Sequence, residues 1–442
     1  MSLATPEKIR SLQRKLYLKA KQEPAFRFYQ LYDKVYRADI LEHAYRLCRS
    51  NGGSRGVDGV TFEQIETQGR AEWLERLGQE LHDKTYRPEP VRRVMIPKPG
   101  GGERPLGIPT IRDRVAQTAA KLLLEPIFEA DFVEEAYGYR PRRSAQDAVK
   151  AVHQALRAGY TEVVDADLSK YFDTIPHREL MRSVARRVVD RSMLRLIRMW
   201  LKVPVEERDD RGSERMSGGK KSKVGTPQGG VISPLLANVY MHRFLRYWRQ
   251  TGQGERLQAK IINYADDFVI LSRGRASEAR KWTSEVMGRL KLTLNATKTC
   301  VRDARRETFD FLGYTFGRMV VYTGNGVRAM DARPSKKSVQ RLKRKLHEVL
   351  CPWNVGPWDE VAGQVNRILV GWSNYFGHGT PYYAYRAVDN HLYDRVRHFL
   401  RRRHKVQSGG TRLLPTGKSL RAWGIMRLLD VLRSRRHAYA LR

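Results

Sequence analysis

The sequence is poor in cysteine, poor in acidic residues and free of long apolar runs. Its three cysteines, Cys48, Cys300 and Cys351, are odd in number and widely spaced. We therefore expect neither a disulfide framework nor a zinc module, and the thiols suit a reducing compartment. No apolar stretch approaches the roughly 18–20 residues of a membrane-spanning helix, and the N-terminus lacks the charged-then-apolar order of a secretory signal. These absences favour a cytoplasmic chain with no membrane partner.

The shortage of acidic residues leaves a large positive charge. Lys and Arg number 83 against 47 Asp and Glu, which gives a formal net charge of +36 over 442 residues. Such a charge indicates a polyanionic partner, and nucleic acid is the obvious one. Binding through phosphates would depend strongly on salt. The length predicts two or three domains, and a hydrophobic content of 41% is ample for their cores.

Two adjacent carboxylates stand out in the segment Tyr264–Asp267. Apolar residues flank it on both sides, Ile261–Ile262 before and Phe268–Leu271 after, which predicts a β-hairpin with Asp266 and Asp267 at its tip. Like charges beside apolar strands repel and are costly to desolvate. A divalent metal relieves that conflict, and Mg²⁺ prefers such hard oxygen ligands. The alternative is a solvated acidic turn.

A second acidic segment lies about a hundred residues upstream, at Val163–Asp173. Asp165 and Asp167 alternate along a predicted strand and so share one face. Asp167, at the strand end, is expected to meet the hairpin tip. Three carboxylates around two metals are what phosphoryl or nucleotidyl transfer needs. We expect a structural role for Asp165, and a helix cap or turn position for Asp173.

Three motifs in order carry a family resemblance. The segments Asp167–Asp173 and Tyr264–Asp267 resemble the paired palm motifs of reverse transcriptases. Between them, Gly225–Asn238 resembles the Pro-Gln-Gly segment in the form typical of bacterial group II intron reverse transcriptases. The resemblance implies an α+β fold of the right-hand polymerase type. It would have fingers and palm, an α-helical thumb/maturase domain and a basic C-terminal tail.

The same resemblance implies the domain boundaries. Residues 1–86 would form a helical N-terminal extension, 87–318 the reverse transcriptase fingers and palm, 319–405 the thumb with the maturase domain, and 406–442 a basic segment that is a candidate for DNA binding. In the thumb, Ser335 is the expected N-cap of an amphipathic helix. No paired Cys/His arrangement follows, so the family's optional HNH nuclease domain is expected to be absent.

The resemblance assigns roles to residues of the site. Asp167 and Asp266 would ligate two Mg²⁺ ions, for which Mn²⁺ is a substitute, Asp267 would ligate or orient, and Leu168 would lend its backbone carbonyl. The nucleotide would be held by Lys98 and Arg104 on its triphosphate, by Gln228 beside the nascent base pair, by Phe172 as the ring that excludes a 2′-hydroxyl, and by Lys298 as a general acid for pyrophosphate. The alternatives are a solvated basic loop at Lys98, a core aromatic at Phe172 and an ordinary surface lysine at Lys298.

A further set is expected along the primer and template. Gly229 would allow close backbone approach. The segment Phe311, Leu312, Gly313 and Tyr314 resembles the one that holds the primer end, with packing as an equal alternative. Arg140, Arg142 and Arg143 alternate with aromatics, a composition that can stack bases and hold phosphates.

The sequence thus predicts an RNA-directed DNA polymerase that copies an RNA template from a DNA primer with deoxynucleotide triphosphates. As a group II intron protein in a bacterial cytoplasm, it would also bind intron RNA to assist splicing and enter target DNA by target-primed reverse transcription. Two alternatives stay open: a splicing maturase without polymerase activity, and a domesticated reverse transcriptase serving phage defence or a CRISPR system.

Overall fold

The computed structural model describes residues 3–97, 102–208, 214–322, 328–405 and 420–440. The helices are α1 Glu7–Gln22, α2 Tyr32–Val35, α3 Ala38–Asn51, α4 Phe62–His82, α5 Ile111–Glu129, α6 Ala145–Arg157, α7 Tyr171–Thr174, α8 His177–Val184, α9 Arg191–Leu201, α10 Ser233–Gln250, α11 Gln253–Arg256, α12 Ala276–Arg289, α13 Lys336–Val349, α14 Trp358–Tyr375, α15 Tyr382–Arg403 and α16 Leu428–Ala440. The strands are β1 Val91–Pro97, β2 Glu103–Ile108, β3 Glu162–Asp167, β4 Pro204–Arg208, β5 Glu214–Gly218, β6 Ala259–Tyr264, β7 Asp267–Ser272, β8 Cys300–Asp303, β9 Thr308–Phe311, β10 Tyr314–Tyr322 and β11 Arg328–Pro334.

The N-terminal helices share one hydrophobic core with the palm. Helices α1 and α3 pack on α5, which is largely buried, its polar residues Asp113, Arg114 and Gln117 included. Tyr86, at the predicted end of the extension, lies in this core; its hydroxyl donates to Asp113 at 2.5 Å and accepts from the indole of Trp200 at 3.1 Å. The extension is therefore built into the polymerase body.

The fingers form a four-stranded sheet of order β2-β1-β4-β5. Strands β1 and β2 pair antiparallel from Arg92↔Ile108 to Pro97↔Glu103, the hairpin that the sequence predicts. Its turn contains Lys98, which lies outside the described residues. Strand β1 also pairs parallel with β4, which ties the hairpin to the segment after α9.

The palm sheet has the order β6-β7-β3-β8, and its two faces differ. On β3, Val164 and Ala166 point into the main core with α8 and α10. Val163 points the other way, into a smaller core with α6 and β9–β10. Because side chains alternate along a strand, Asp165 and Asp167 share the Val163 face, opposite the helices α8 and α10.

The thumb is helical, as expected, and joins the palm through the sheet β11-β10-β9. Ser335 caps α13, accepting from the Ser338 N–H at 3.2 Å. Helices α13, α14 and α15 enclose a separate core. Among the described residues, no helix is long and apolar enough to cross a bilayer.

The chain after residue 419 completes the thumb. Residues 406–419 lie outside the described residues, but Leu420, Trp423 and Leu428 are buried in the thumb core. Asp389 of α15 accepts the N–H groups of Leu428 and Leu429 at 2.9 and 3.1 Å, so it satisfies free donors at the start of α16. The described part of the predicted segment 406–442 therefore packs into the thumb, and its role in DNA binding stays a prediction.

Candidate active site

The tip of the β6–β7 hairpin lies beside the end of β3. Asp167 and Asp267 are paired directly across the two strands, so their side chains share one face. Between the strands, Ala265 takes a left-handed conformation with φ of 59°, which is rare for residues other than glycine. The side-chain amide of Asn263 donates to the Ala265 carbonyl at 2.8 Å and so stabilises the turn.

The segment before α6 packs directly beneath this turn. The Tyr137 N–H donates to the Asn263 carbonyl at 2.8 Å, and the Asn238 amide holds the Gly138 carbonyl at 2.7 Å. A Cβ on Gly138 would collide with the backbone nitrogen of Ala265. Glycine is therefore required at 138 for close approach to the acidic turn, a role that the sequence analysis missed.

Four carboxylates crowd this face of the sheet. Burial, with Asp165, Asp266 and Asp167 adding repulsion, raises the pKa of Asp267 to about 7. Burial also raises the pKa of Asp266, while Arg104 of the fingers partly opposes the shift. Asp165 belongs to the same set: its pKa rises to about 6, chiefly through burial. The alternation of Asp165 with Asp167 already contained this signal.

A divalent cation fits this donor set, because hard oxygen ligands that repel one another gain from a shared positive charge. In the described part of the chain, no three His, Cys, Asp or Glu side chains converge on one metal-sized point. The carboxylate of Asp167 is instead held by the Lys298 ammonium at 3.1 Å and the Asn295 amide at 3.2 Å. Lys298 thus supplies a positive charge at the carboxylate where a metal is expected.

The backbone around Asp167 is also fixed by the loop before β8. The Asp167 carbonyl accepts from the Asn295 N–H at 2.8 Å, and the Ser169 N–H donates to the Thr293 carbonyl at 2.9 Å. Neither bond uses the carbonyl of Leu168, the predicted backbone ligand. That prediction stays open.

Gln228 connects the fingers to the palm. Its side-chain carbonyl accepts from Arg104 Nε at 3.1 Å, and its amide nitrogen donates to both carboxylate oxygens of Asp173 at 3.1 Å each. These partners fix which way the amide points. Asp173 lies inside the one-turn helix α7, whose N-cap is Lys170, so of the two expected roles, cap or turn, it has the turn position. From there it orients Gln228.

Phe172 is buried between the acidic turn and the Gln228 loop. Its carbonyl accepts the Thr226 N–H at 2.7 Å, and its ring meets Tyr139 edge-on with centroids 6.4 Å apart. The packing holds the ring in place, which is what both the core reading and the sugar-gate reading require. The gate remains a prediction.

The predicted template residues divide into buried and accessible ones. A Cβ on Gly229 would collide with the Gly107 carbonyl of β2, so this glycine brings two protein segments together. Arg140 is buried, and its guanidinium is bound to Glu129 and to the carbonyls of Val133 and Ala136. A template contact is wrong for Arg140, because all its groups serve the fold.

Arg142 and Arg143 remain accessible. Arg142 is exposed, with φ of 60°. The Arg143 guanidinium is half-buried and lies 5.3 Å from the centroid of the Tyr137 ring. Both stay candidates for template phosphates.

The predicted primer segment is the β9–β10 hairpin. Phe311 and Tyr314 form its closing pair, and both rings are buried, so the packing alternative describes them. Leu312 and Gly313 form the two-residue turn, both with positive φ, at 49° and 81°, as in a type I′ turn. Only this half-buried turn remains for the primer.

Comparisons with known proteins agree with this geometry. Residues 96–316 match the family model for reverse transcriptase (RNA-dependent DNA polymerase), and residues 339–414 match the group II intron, maturase-specific domain. Protein YkfC of Escherichia coli K12 is 35% identical over 367 residues, which cover 75% of this chain and 93% of YkfC. The group II intron-encoded protein LtrA of Lactococcus lactis is 35% identical over 398 residues, 74% of this chain but 61% of LtrA. The chain thus spans less than two thirds of LtrA.

Proposed function

We propose that this chain, which belongs to the group II intron reverse transcriptase and maturase family, is an active RNA-directed DNA polymerase. The observation that carries the proposal is the joint placement of three carboxylates and a fingers arginine. Asp167, Asp266 and Asp267 lie where the end of β3 meets the β6–β7 hairpin tip, and the charge of Arg104 acts on Asp266. A chain that had kept only a scaffold role would have no use for this costly crowding of buried charge.

In the proposed reaction, the primer 3′-hydroxyl attacks the α-phosphate of a deoxynucleotide and pyrophosphate leaves. Mg²⁺, with Mn²⁺ as a substitute, would activate the attacking oxygen and neutralise the leaving one, held by Asp167 and Asp266, with Asp267 and the Leu168 carbonyl as further ligands. Arg104, together with Lys98, would bind the triphosphate. Gln228 would support the nascent pair, and Phe172 would reject a ribose by contact with its 2′-oxygen.

Lys298 has a defined place in this proposal. Its ammonium is exposed and lies 3.1 Å from Asp167 Oδ2, so it partly offsets the charge of that carboxylate. In the proposed reaction Lys298 would turn from Asp167 to the leaving pyrophosphate and donate a proton to it, and a bound Mg²⁺ would supply the charge that then offsets Asp167.

The test is primer extension on poly(rA) with oligo(dT), dTTP and Mg²⁺. Extension by the wild type and its loss in Asp266→Ala, with RNA binding retained, would support the polymerase. Extension by Asp266→Ala at the wild-type rate would overturn the metal assignment. Absence of extension by the wild type, with tight RNA binding, would overturn the polymerase and leave a splicing scaffold.

We propose a second function, binding of intron RNA to assist splicing. The maturase-domain match and the face of α13 motivate it: Lys336, Lys337, Arg341, Arg344 and Lys345 are all exposed. The measurement is splicing of the cognate intron with Asp167 and Asp266 both mutated. Retained splicing would support an independent scaffold; loss of splicing with intact folding would contradict it. Retrohoming into target DNA, in a bacterial cytoplasm, would require both functions, and the maturase match argues against a domesticated defence role.

A further inference from the structure

The palm sheet carries a second charged surface, on the side away from the carboxylates. Helices α8 and α10 pack on the sheet face that holds Val164 and Ala166, whereas Asp165 and Asp167 point from the opposite face. The inner sides of these helices are apolar, with Leu180 and Val184 on α8 buried in the main core. Whatever their outer sides bind is therefore separated from the acidic turn by the thickness of the sheet.

Three arginines lie on these two packed helices: Arg186 just after α8, and Arg243 and Arg246 one helical turn apart on α10. We call them the arginine cluster. Arg186 is exposed, and the other two are half-buried. Burial and then the nearby charge of Arg246 and Arg243 lower the pKa of Arg186. Like charges are thus held close together, at an electrostatic cost to the free protein.

Among the residues that the structure describes, no carboxylate forms an ion pair with the cluster. Asp131 lies nearby and favours the charged form of Arg186, but its carboxylate is bound in two places by the buried Arg187. Within residues 3–97, 102–208, 214–322, 328–405 and 420–440, no ion pair within 4 Å joins any member of the cluster to Asp or Glu. By contrast, many other surface arginines of this chain are paired, as Arg275 is with Glu278 and Arg305 with Asp303.

The surroundings indicate backbone recognition rather than base recognition. Arg243 lies 5.4 Å from the ring centroid of Tyr240, which is fully buried. Tyr247 is stacked flat on Trp282, with an interplanar angle of 11°. The Tyr240 ring is covered by protein and Trp282 covers one face of Tyr247, so at most one aromatic face remains for a splayed base. Accessible guanidinium groups contact phosphates, which position a nucleic acid without reading its sequence.

We propose that the arginine cluster binds the phosphate backbone of a double-stranded nucleic acid at a surface separate from the polymerase cleft. The proposal rests on the proposed nucleic-acid function of the chain and adds to it a second contact. A polyanion relieves the crowding of the three arginines, and a duplex, whose bases already stack on one another, can bind through its phosphates alone. A structured RNA held there would remain bound while another segment occupies the cleft.

The experiment compares two full-length triple variants with equal loss of charge. One is Arg186→Gln, Arg243→Gln and Arg246→Gln; the control is Arg10→Gln, Arg275→Gln and Arg305→Gln, whose arginines are each paired with a carboxylate. Binding of a blunt 20-base-pair RNA duplex, and of a DNA duplex of the same sequence, is titrated against salt. Primer extension at saturating primer–template is measured in parallel, with thermal melting to check folding.

For the cluster variant we expect the slope of log K against log salt to fall by about 2 to 3, one for each lost phosphate contact, on at least one duplex. The duplex whose slope falls shows whether the bound backbone is RNA or DNA. The control should keep the wild-type slope, and both variants should keep the wild-type extension rate. Equal slopes for the two variants, or no duplex binding by the wild type, would overturn the cluster while leaving the polymerase test unaffected. A parallel loss of extension in a folded cluster variant would overturn its separation from the cleft.

Discussion

The two faces of the palm sheet carry clusters of like charge of opposite sign. One face gathers Asp165, Asp167 and Asp267 beside apolar strands, and burial raises the pKa of Asp165 and Asp267. The other carries helices whose outer surface gathers Arg186, Arg243 and Arg246, and there the pKa of Arg186 is lowered. In both places like charges are held together without sufficient partners of the opposite sign. We therefore propose that something outside the chain completes each face: a small dication on the first, and an extended polyanion on the second.

The largest effect is expected when one carboxylate is removed from the acidic face. Asp167→Asn should lower the extension rate by about 10³-fold or more, because transition-state charge is then no longer stabilised at its usual place. Asp165→Asn, on the same strand face, is the matched control and should lose much less, since it lies one pleat farther from the hairpin tip. Primer extension under single-turnover conditions measures both. Equal losses would show that Asp165 is a ligand of equal standing.

A smaller loss is expected when the turn is displaced with its carboxylates intact. Gly138→Ala places a methyl group against the Ala265 backbone, and a shift of reacting groups by about 1 Å can cost roughly 10²-fold in rate. Gly288→Ala, where a Cβ meets nothing within 4 Å, is the control and should keep full activity. Wild-type rates in a folded Gly138→Ala protein would contradict the close approach.

A still smaller effect is expected when the Gln228 amide loses the acceptor that orients it. Asp173→Ala removes the acceptor of two hydrogen bonds, and we expect KM for the deoxynucleotide to rise by about 10-fold, the size of one charge-assisted bond, with kcat changed less. Asp173→Asn keeps an acceptor and should recover part of the loss. Asp303→Ala, which removes a surface carboxylate paired with Arg305, should leave KM alone. A fall in kcat with unchanged KM would argue against a role in orienting Gln228.

The smallest expected effect is on stability. The pKa of Asp267 is raised to about 7 from its ordinary value near 4, so the folded state disfavours the ionised form. Stability should therefore be lost as pH rises from about 4 to above 7. Asp267→Asn should melt a few degrees above the wild type at pH 8 and no higher at pH 4.

The effect of Mg²⁺ on Tm tests the same carboxylate without an assay of catalysis. Adding Mg²⁺ at pH 8 should raise the Tm of the wild type more than that of Asp267→Asn, because binding to the folded state adds stability. Asp310→Asn, the same chemical change on an exposed carboxylate of β9, is the control. An equal rise in all three proteins would show that Asp267 takes no part in holding the cation.

Sequence patterns found the features that short segments encode. The hairpin of Asp266 and Asp267, the strand of Asp167 and the N-cap Ser335 each depend on neighbours along the chain, and the structure forms all three. Arg140 was misread because its partners, Glu129 and two backbone carbonyls, converge only once α5 and the following turns are packed. The role of Asp173 in orienting Gln228 was missed for the same reason, because the two residues are distant in sequence.

The arginine cluster lay beyond the reach of local pattern. Arg186 and Arg246 are 60 positions apart in the numbering, the first just after α8 and the second on α10, so no motif joins them. The packing of the C-terminal segment could not be predicted for a related reason. Its high charge suggested a tail, whereas a few apolar residues, Leu420, Trp423 and Leu428, decide that it packs into the thumb.

The turn at Leu312 and Gly313 has a mechanical consequence. The Gly313 carbonyl accepts from the Ser335 N–H and the Ser338 hydroxyl, both at 2.9 Å, and the Leu312 carbonyl accepts from the Tyr375 hydroxyl at 2.8 Å. Two thumb helices therefore grip one palm hairpin at its tip. Rotation of the thumb would therefore move this turn. The position of a primer end bound at the turn and the angle of the thumb would then change together.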